Sequence, residues 1–300
     1  MTPARRSARR RDRPGGADQA SDRKRTKLAA ATCAVHATIL LVRITTLGDL
    51  LLDVIVQLDS PLVAGDDQTA VTRTGAGGQA ANVAAWARAL GASARFVGKR
   101  GDDAAAEVVT RELVARGVEV VGPAEGRTGV VVSLATGGDR TMASDRGAAP
   151  DLHPRELDDA WFDCDVLHLS GYSLLREPIA ATAVAAARAA RGYGARVSVD
   201  LATWTLVDDA FRARAREVAP DVVFANERER AAVGELDTRW VMKRGADGLR
   251  VDGCDYRAIS SEVVDTTGAG DALAAGFLIG GVKLGLEAAA RCCSQLGAMP

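Results

Sequence analysis

The stretch "VDTTGAGDALAAGFLIG", Val264 to Gly280, sets small residues at Gly268, Ala269 and Gly270 before an aspartate, Asp271, and an apolar helical run. Backbone N–H groups of the small residues are expected to converge at the positive end of that helix, a nest for a phosphate or a developing oxyanion. A carboxylate so near a helix N-terminus is expected to have a lowered pKa. Phosphoryl transfer tolerates such a base, because its loose transition state demands alignment and charge stabilisation more than strong proton abstraction. The competing reading makes Asp271 a helix cap and nothing more. No GxxxxGK[ST] element occurs, so a nucleotide would need a different cradle.

A second glycine cluster, "GAGGQAANVAAWARALG", reads Gly75-x-Gly77-x-x-Ala80 and superficially satisfies the dinucleotide fingerprint. A dehydrogenase would need an acidic residue closing the next strand, where "ARFVGKRGDD" offers a basic pair before Asp102. Alternatively, Gly77 and Gly78 let a polyhydroxylated ligand lie against the backbone while Asn82, one turn into the helix, presents its amide to hydroxyls. Tight strand-to-helix packing would also explain the glycines. "NERER", from Asn226, supplies an amide and a carboxylate directly after an apolar strand, or else simply starts a charged helix.

These residues must be positioned by an alternating framework. "ILLVRITTL", "ARFVGK", "VLHLS", "RVSVD", "DVVFAN" and "RWVMKRG" read as strands, and "QAANVAAWARAL", "DAAAEVVTRELVARG" and "EPIAATAVAAARAARGYG" as helices. The pattern predicts an α/β fold: a doubly wound, mostly parallel sheet flanked by helices. Two regions break it. Strand-like segments at 51–74 surround the turn "SPLVAGDD", and 128–145 reads as a hairpin turning at Gly137-Gly138, so a small separate β-sheet lid is expected.

Composition narrows the partners. With 47% hydrophobic and 26% charged residues the 300-residue chain is ordinary globular material, and aromatics at 4% and a net charge of -1 give little for nucleic acid or membrane. Residues 1–28 hold ten Lys or Arg against three Asp, and 1–38 is expected to be a disordered basic tail before a domain at 39–300. A nucleic-acid or membrane-surface arm is the functional alternative for that tail. The apolar run Leu28–Val42 imitates a signal peptide but contains His36 and is too short to span a bilayer. Five cysteines without a CxxC point to a reducing, cytoplasmic setting rather than a disulfide or zinc framework.

"GGQAAN", "NERE" and "DTTGAGDALAAGF", in that order, resemble the ribokinase-like (PfkB) family of carbohydrate kinases over roughly Ile44 to Pro300. The resemblance implies a ribokinase-like fold with a β-lid, and an ATP- and magnesium-dependent (Mg2+) sugar kinase. It implies Asp271 as catalytic base and Gly268, Ala269 and Gly270 as the anion hole. Asp53, in "GDLLLD", Gly77, Gly78 and Asn82 would hold the sugar; Asn226 and Glu229 would organise magnesium, largely through water. In "VMKRGADG", Gly245 and Gly248 would approach the nucleotide, and Lys243, where many members have threonine, would face phosphate or solvent. Asp265 would belong to a monovalent cation (potassium, K+) site. Ser170 stands where ribokinases carry a glutamate, which removes a contact for ribose. Arg146, in "SDRGAAPDL", resembles an arginine that meets the carboxylate of 2-keto-3-deoxygluconate. Ribose-, fructose- and 2-keto-3-deoxygluconate-like sugars are the substrates considered, and lid pairing would give a homodimer. The alternatives are a nucleoside kinase of the same fold, a dinucleotide-binding oxidoreductase and a catalytically silent sugar-binding regulator.

Overall fold

The structure, a computed structural model, describes residues 41–136 and 139–300. The basic tail, the first residues of the opening strand and the Gly137-Gly138 turn lie outside the described residues. In chain order the strands are β1 (Arg43–Leu47), β2 (Leu51–Leu58), β3 (Ala70–Gly77), β4 (Ser93–Val97), β5 (Glu119–Val121), β6 (Thr128–Thr136), β7 (Asp139–Gly147), β8 (Val166–Ser170), β9 (Arg196–Asp200), β10 (Val222–Ala225), β11 (Arg239–Lys243), β12 (Leu249–Val251) and β13 (Cys254–Tyr256). The helices are α1 (Gln79–Ala89), α2 (Ala104–Ala115), α3 (Ile179–Gly192), α4 (Asp209–Val218), α5 (Glu227–Val233) and α6 (Ala269–Cys293).

Nine strands form one sheet in the order β13-β12-β11-β10-β9-β8-β1-β4-β5, parallel except at β11–β12 and β12–β13. Its central strands are buried on both faces, which is why "VLHLS" and "VVFA" read as continuous rather than alternating apolar runs. Successive residues feed opposite cores. Val166 joins Trp86, Phe224 and Phe277 on the α1/α6 face, whereas Leu167 and Leu169 join Phe162 and Phe211 on the α3/α4 face. On the first face, Phe277 meets Phe224 edge-on with centroids 5.5 Å apart.

One element departs from the sequence reading. The long apolar run after Asp271 is broken: Gly280 and Gly281 leave helical geometry, and the two halves of α6 pack so closely that a Cβ on Gly276 would lie 2.5 Å from the Leu284 carbonyl oxygen. Among the described residues α6 is the helix long and apolar enough to cross a membrane, yet it sits largely in the core. β3 lies outside the parallel layer. It belongs to a separate four-stranded sheet, β3-β2-β6-β7, in which β2 pairs antiparallel with β3 and parallel with β6. The glycine fingerprint at Gly75 to Ala80 therefore follows a strand outside the parallel layer, where a dinucleotide fold cannot use it.

Candidate active site

Strand ends in a parallel sheet deliver their following residues to one edge, and the crevice there is the usual ligand site. The C-terminal ends of β9, β10 and β11, neighbours in the sheet, bring Asp200, Asn226 and Lys243 to that edge. The start of α6 faces them.

Gly268, not Asp271, caps α6. Its φ of 75° is left-handed, no side-chain cap bonds the first turn, and a Cβ there would meet Ala298 at 2.6 Å, so glycine is required twice over. Ala269 N–H donates to the Thr266 carbonyl at 3.3 Å, and without a side-chain cap the N–H groups that follow it in the first turn remain for an external anion. Asp271 is the third helical residue, and the Asn82 amide donates to its Oδ2 at 2.7 Å. Asn82 stands one turn into α1, and its own Oδ1 is buried with no hydrogen-bond partner. A ligand hydroxyl would satisfy that orphaned acceptor.

The expected lowering of the Asp271 pKa does not occur. Burial, reinforced by the negative charges of Asp200 and Asp53, pushes it up to about 7, against the opposing pull of Asn82 and Lys243. Removal from water outweighs the helix end, and the result is a carboxylate poised to take a proton near neutrality.

Asp53, on β2, packs against the chain at Gly77: a Cβ on Gly77 would lie 2.1 Å from the Asp53 carboxyl group. Gly78 begins α1 at a φ of 101°. Asp53, Gly77, Gly78, Asn82 and Asp271 are thus gathered at one end of the crevice. Arg146 lies there too, but not as an open carboxylate receptor. Its Nε and Nη2 donate to Asp49 at 2.6 and 2.8 Å, and its guanidinium carbon lies 5.7 Å from the Tyr172 ring centre. The charge that a sugar acid would meet is already matched by a buried aspartate. Ser170 is buried and donates to Gln79 at 2.6 Å, a contact between strand and helix.

The other end is a cleft of about 700 Å³ lined by Asn226, Lys243, Gly245, Gly248, Thr266 and Gly270 together with apolar side chains from Ile259 to Cys293. Lys243 Nζ donates to the fully buried Asp200 and lies 3.6 Å from the place a Gly270 Cβ would occupy. Burial alone would lower the Lys243 pKa, but the charges of Asp200, Glu229 and Asp271 raise it. Burial pushes Asp200 up to about 6 despite Lys243, so both partners are charged at neutral pH. Asn226 and Glu229 form a reciprocal capping box at the start of α5, with Glu229 N–H on Asn226 Oδ1 at 2.9 Å and Asn226 N–H on Glu229 Oε2 at 2.8 Å. The helix-start reading of "NERE" is therefore correct as far as it goes.

Asp265 precedes the start of α6. Its oxygens accept from Thr267 N–H at 2.8 Å, Thr267 Oγ1 at 2.7 Å and Gly297 N–H at 3.0 Å, a clasp that ties the approach to α6 to the C-terminal segment. Sequence reasoning missed Asp200 and Asp49 altogether. Each is an acid at a strand end, a pattern too common to single out without seeing the cation it holds.

The comparisons with known proteins agree with this geometry. The model of the pfkB family of carbohydrate kinases matches residues 43–299. An ATP-dependent ribose-1-phosphate kinase of Halopiger xanaduensis is 32% identical over 277 residues, covering 84% of this chain and 90% of that protein. Fructokinase-2 of Oryza sativa is 29% identical over 292 residues, 85% and 83% of the two chains. Among solved structures, adenosine kinase from Sinorhizobium meliloti superposes with a TM-score of 0.75 at 27% identity, covering 86% of this chain and 96% of that one. The chain belongs to the pfkB family of carbohydrate kinases and is a phosphotransferase acting on a sugar hydroxyl.

Proposed function

We propose that the chain transfers the γ-phosphoryl group of ATP to a primary hydroxyl of a small sugar, with the carboxylate of Asp271 receiving the hydroxyl proton. The single observation carrying this reading is Asp271 itself: the third residue of a helix with no side-chain cap, bonded to Asn82 and with its pKa raised to about 7. The sugar is held between Asp53 and Asn82, whose unpartnered Oδ1 accepts from a hydroxyl. ATP occupies the cleft that Gly245 and Gly248 open, with its γ-phosphate at the N–H groups of Gly268, Ala269 and Gly270 and beside Lys243. The attacking oxygen forms its bond to phosphorus as the bond to ADP breaks, and the hydroxyl proton passes to Asp271 late in the step.

Asn226 and Glu229 each have one side-chain oxygen engaged in the capping box, while Glu229 keeps a second. A hard cation that retains most of its waters fits so small a donor set. Magnesium would be held there through water and would neutralise charge on the triphosphate. The β3-β2-β6-β7 sheet, which carries Asp53, acts as the lid, and its exposed Val71 and Met142 are the surface for a homodimer. The four cysteines of the described region are free, which suits work in a reducing cytoplasm.

The relatives named above act on ribose 1-phosphate and on fructose by their names, and we place the substrate among pentose and ketohexose sugars rather than sugar acids, because Asp49 already matches Arg146. Profiling ATP consumption with ribose, ribose 1-phosphate, fructose, 2-keto-3-deoxygluconate and nucleosides tests this. Turnover with one of the first three supports it. Phosphorylation of nucleosides alone would replace it with a nucleoside kinase.

A further inference from the structure

We propose that Asp200 is a positioning residue for phosphoryl transfer: it fixes the Lys243 ammonium at the mouth of the anion cradle, so that Lys243 meets the transferred phosphoryl group as a cation built into the protein. This inference rests on the kinase reading above.

The observation is an imbalance. Asp200 is completely buried, yet of its two oxygens only Oδ1 has a hydrogen-bond partner, Lys243 Nζ, and Oδ2 has none. A buried carboxylate left half satisfied costs stability, and such a group in a native fold calls for a reason besides packing. The reason lies in what Lys243 reaches. Its side chain is about one-fifth exposed and lines the nucleotide cleft, with Nζ 3.6 Å from the place a Cβ on Gly270, in the cradle, would occupy. Asp200 holds it from two strands away, across β10.

A lysine carries its charge on a flexible four-carbon stem and does not hold one geometry unaided. Here the charges of Glu229 and Asp271 act on the same ammonium. Without Asp200, Lys243 would be drawn to Glu229 and Asp271; an ammonium on Glu229 would leave the cradle, and one on Asp271 would compete with the sugar hydroxyl for the oxygens that must receive its proton. With Asp200 in place, Lys243 is held off the base and toward the phosphoryl path. It forms and breaks no covalent bond and keeps its protons; it matches charge as the phosphoryl group moves from ADP to the sugar oxygen.

The test is a double-mutant cycle on the full chain, using magnesium ATP and whichever sugar the parent phosphorylates fastest. Asp200→Asn and Lys243→Met are each expected to lower kcat about 100-fold with KM for the sugar changed by less than about threefold, and the double variant to be no slower than Lys243→Met alone. Losses that multiply in the double variant, or an Asp200→Asn enzyme with kcat near the parent's, would overturn the proposal. If thermal melting shows that Asp200→Asn does not fold, Lys243→Met and Lys243→Arg decide it. Partial recovery of kcat by arginine over methionine supports a cation at that place, and a methionine variant as fast as the parent overturns it. A parent that phosphorylates no sugar removes the kinase reading instead, a result separable from any of these.

Discussion

At the scale of single residues, surroundings change the chemistry of side chains whose identities are plain from the chain. Asp271 must be ionised to accept a proton, and its folded pKa is raised to about 7. kcat/KM for the sugar should therefore fall about tenfold per pH unit below neutrality and level off above it. The same shift has a stability sign. The folded state binds that proton more tightly than the unfolded chain, so the contribution is present at low pH and is lost as pH rises through about 7. Asp271→Asn should accordingly raise the melting temperature over the parent, by a margin that grows between pH 5 and pH 8. At Gly77, alanine would place a methyl inside the space of the Asp53 carboxyl group, and the expected outcome is a KM for the sugar raised by about tenfold or more at constant ATP affinity. The glycine-rich motifs singled out Asp271, Asn82 and the cradle, and the family resemblance added Asp53. They could not give the direction of the Asp271 shift or the capture of Arg146 by Asp49, because both depend on burial and on residues distant in sequence.

At the scale of elements, periodicity and turn chemistry placed the strands of the central layer well. "VLHLS" and "RVSVD" coincide with β8 and β9 residue for residue. The β12–β13 edge was missed, since three-residue strands carry no period. The break in α6 was hidden by its apolar composition, although Gly280-Gly281 marked it in retrospect. The start of α5 closes its own helix end, and Asn226 there also lines the cleft. Asn226→Ala removes one arm of the capping box and should lower stability by about 1 kcal/mol, readable by denaturant melts. If Asn226 also serves the metal, KM for magnesium ATP will rise in the same variant while KM for the sugar stays put. A stability loss with unchanged nucleotide kinetics would confine Asn226 to capping.

At the scale of the whole molecule, the candidate site gathers Asp53 from the small sheet, Asn82 from α1 and Asp271 from α6 beside the strand ends of the main sheet. The alternation of strands and helices made the main layer legible, and its two interruptions made the second sheet legible, but which strand pairs with which, including the parallel β2–β6 contact, required the fold. Phosphoryl transfer in such a site needs charge neutralisation beyond what Lys243 supplies. Chelation of magnesium with EDTA should abolish turnover, and added magnesium should restore it with the chain folded throughout. The most direct test of the central claim is the turnover of Asp271→Asn at pH 8 with saturating ATP and sugar, with ATP binding measured in parallel. The account predicts a loss of about 1,000-fold or more in kcat with ATP affinity retained. Near-normal turnover in that variant would contradict it.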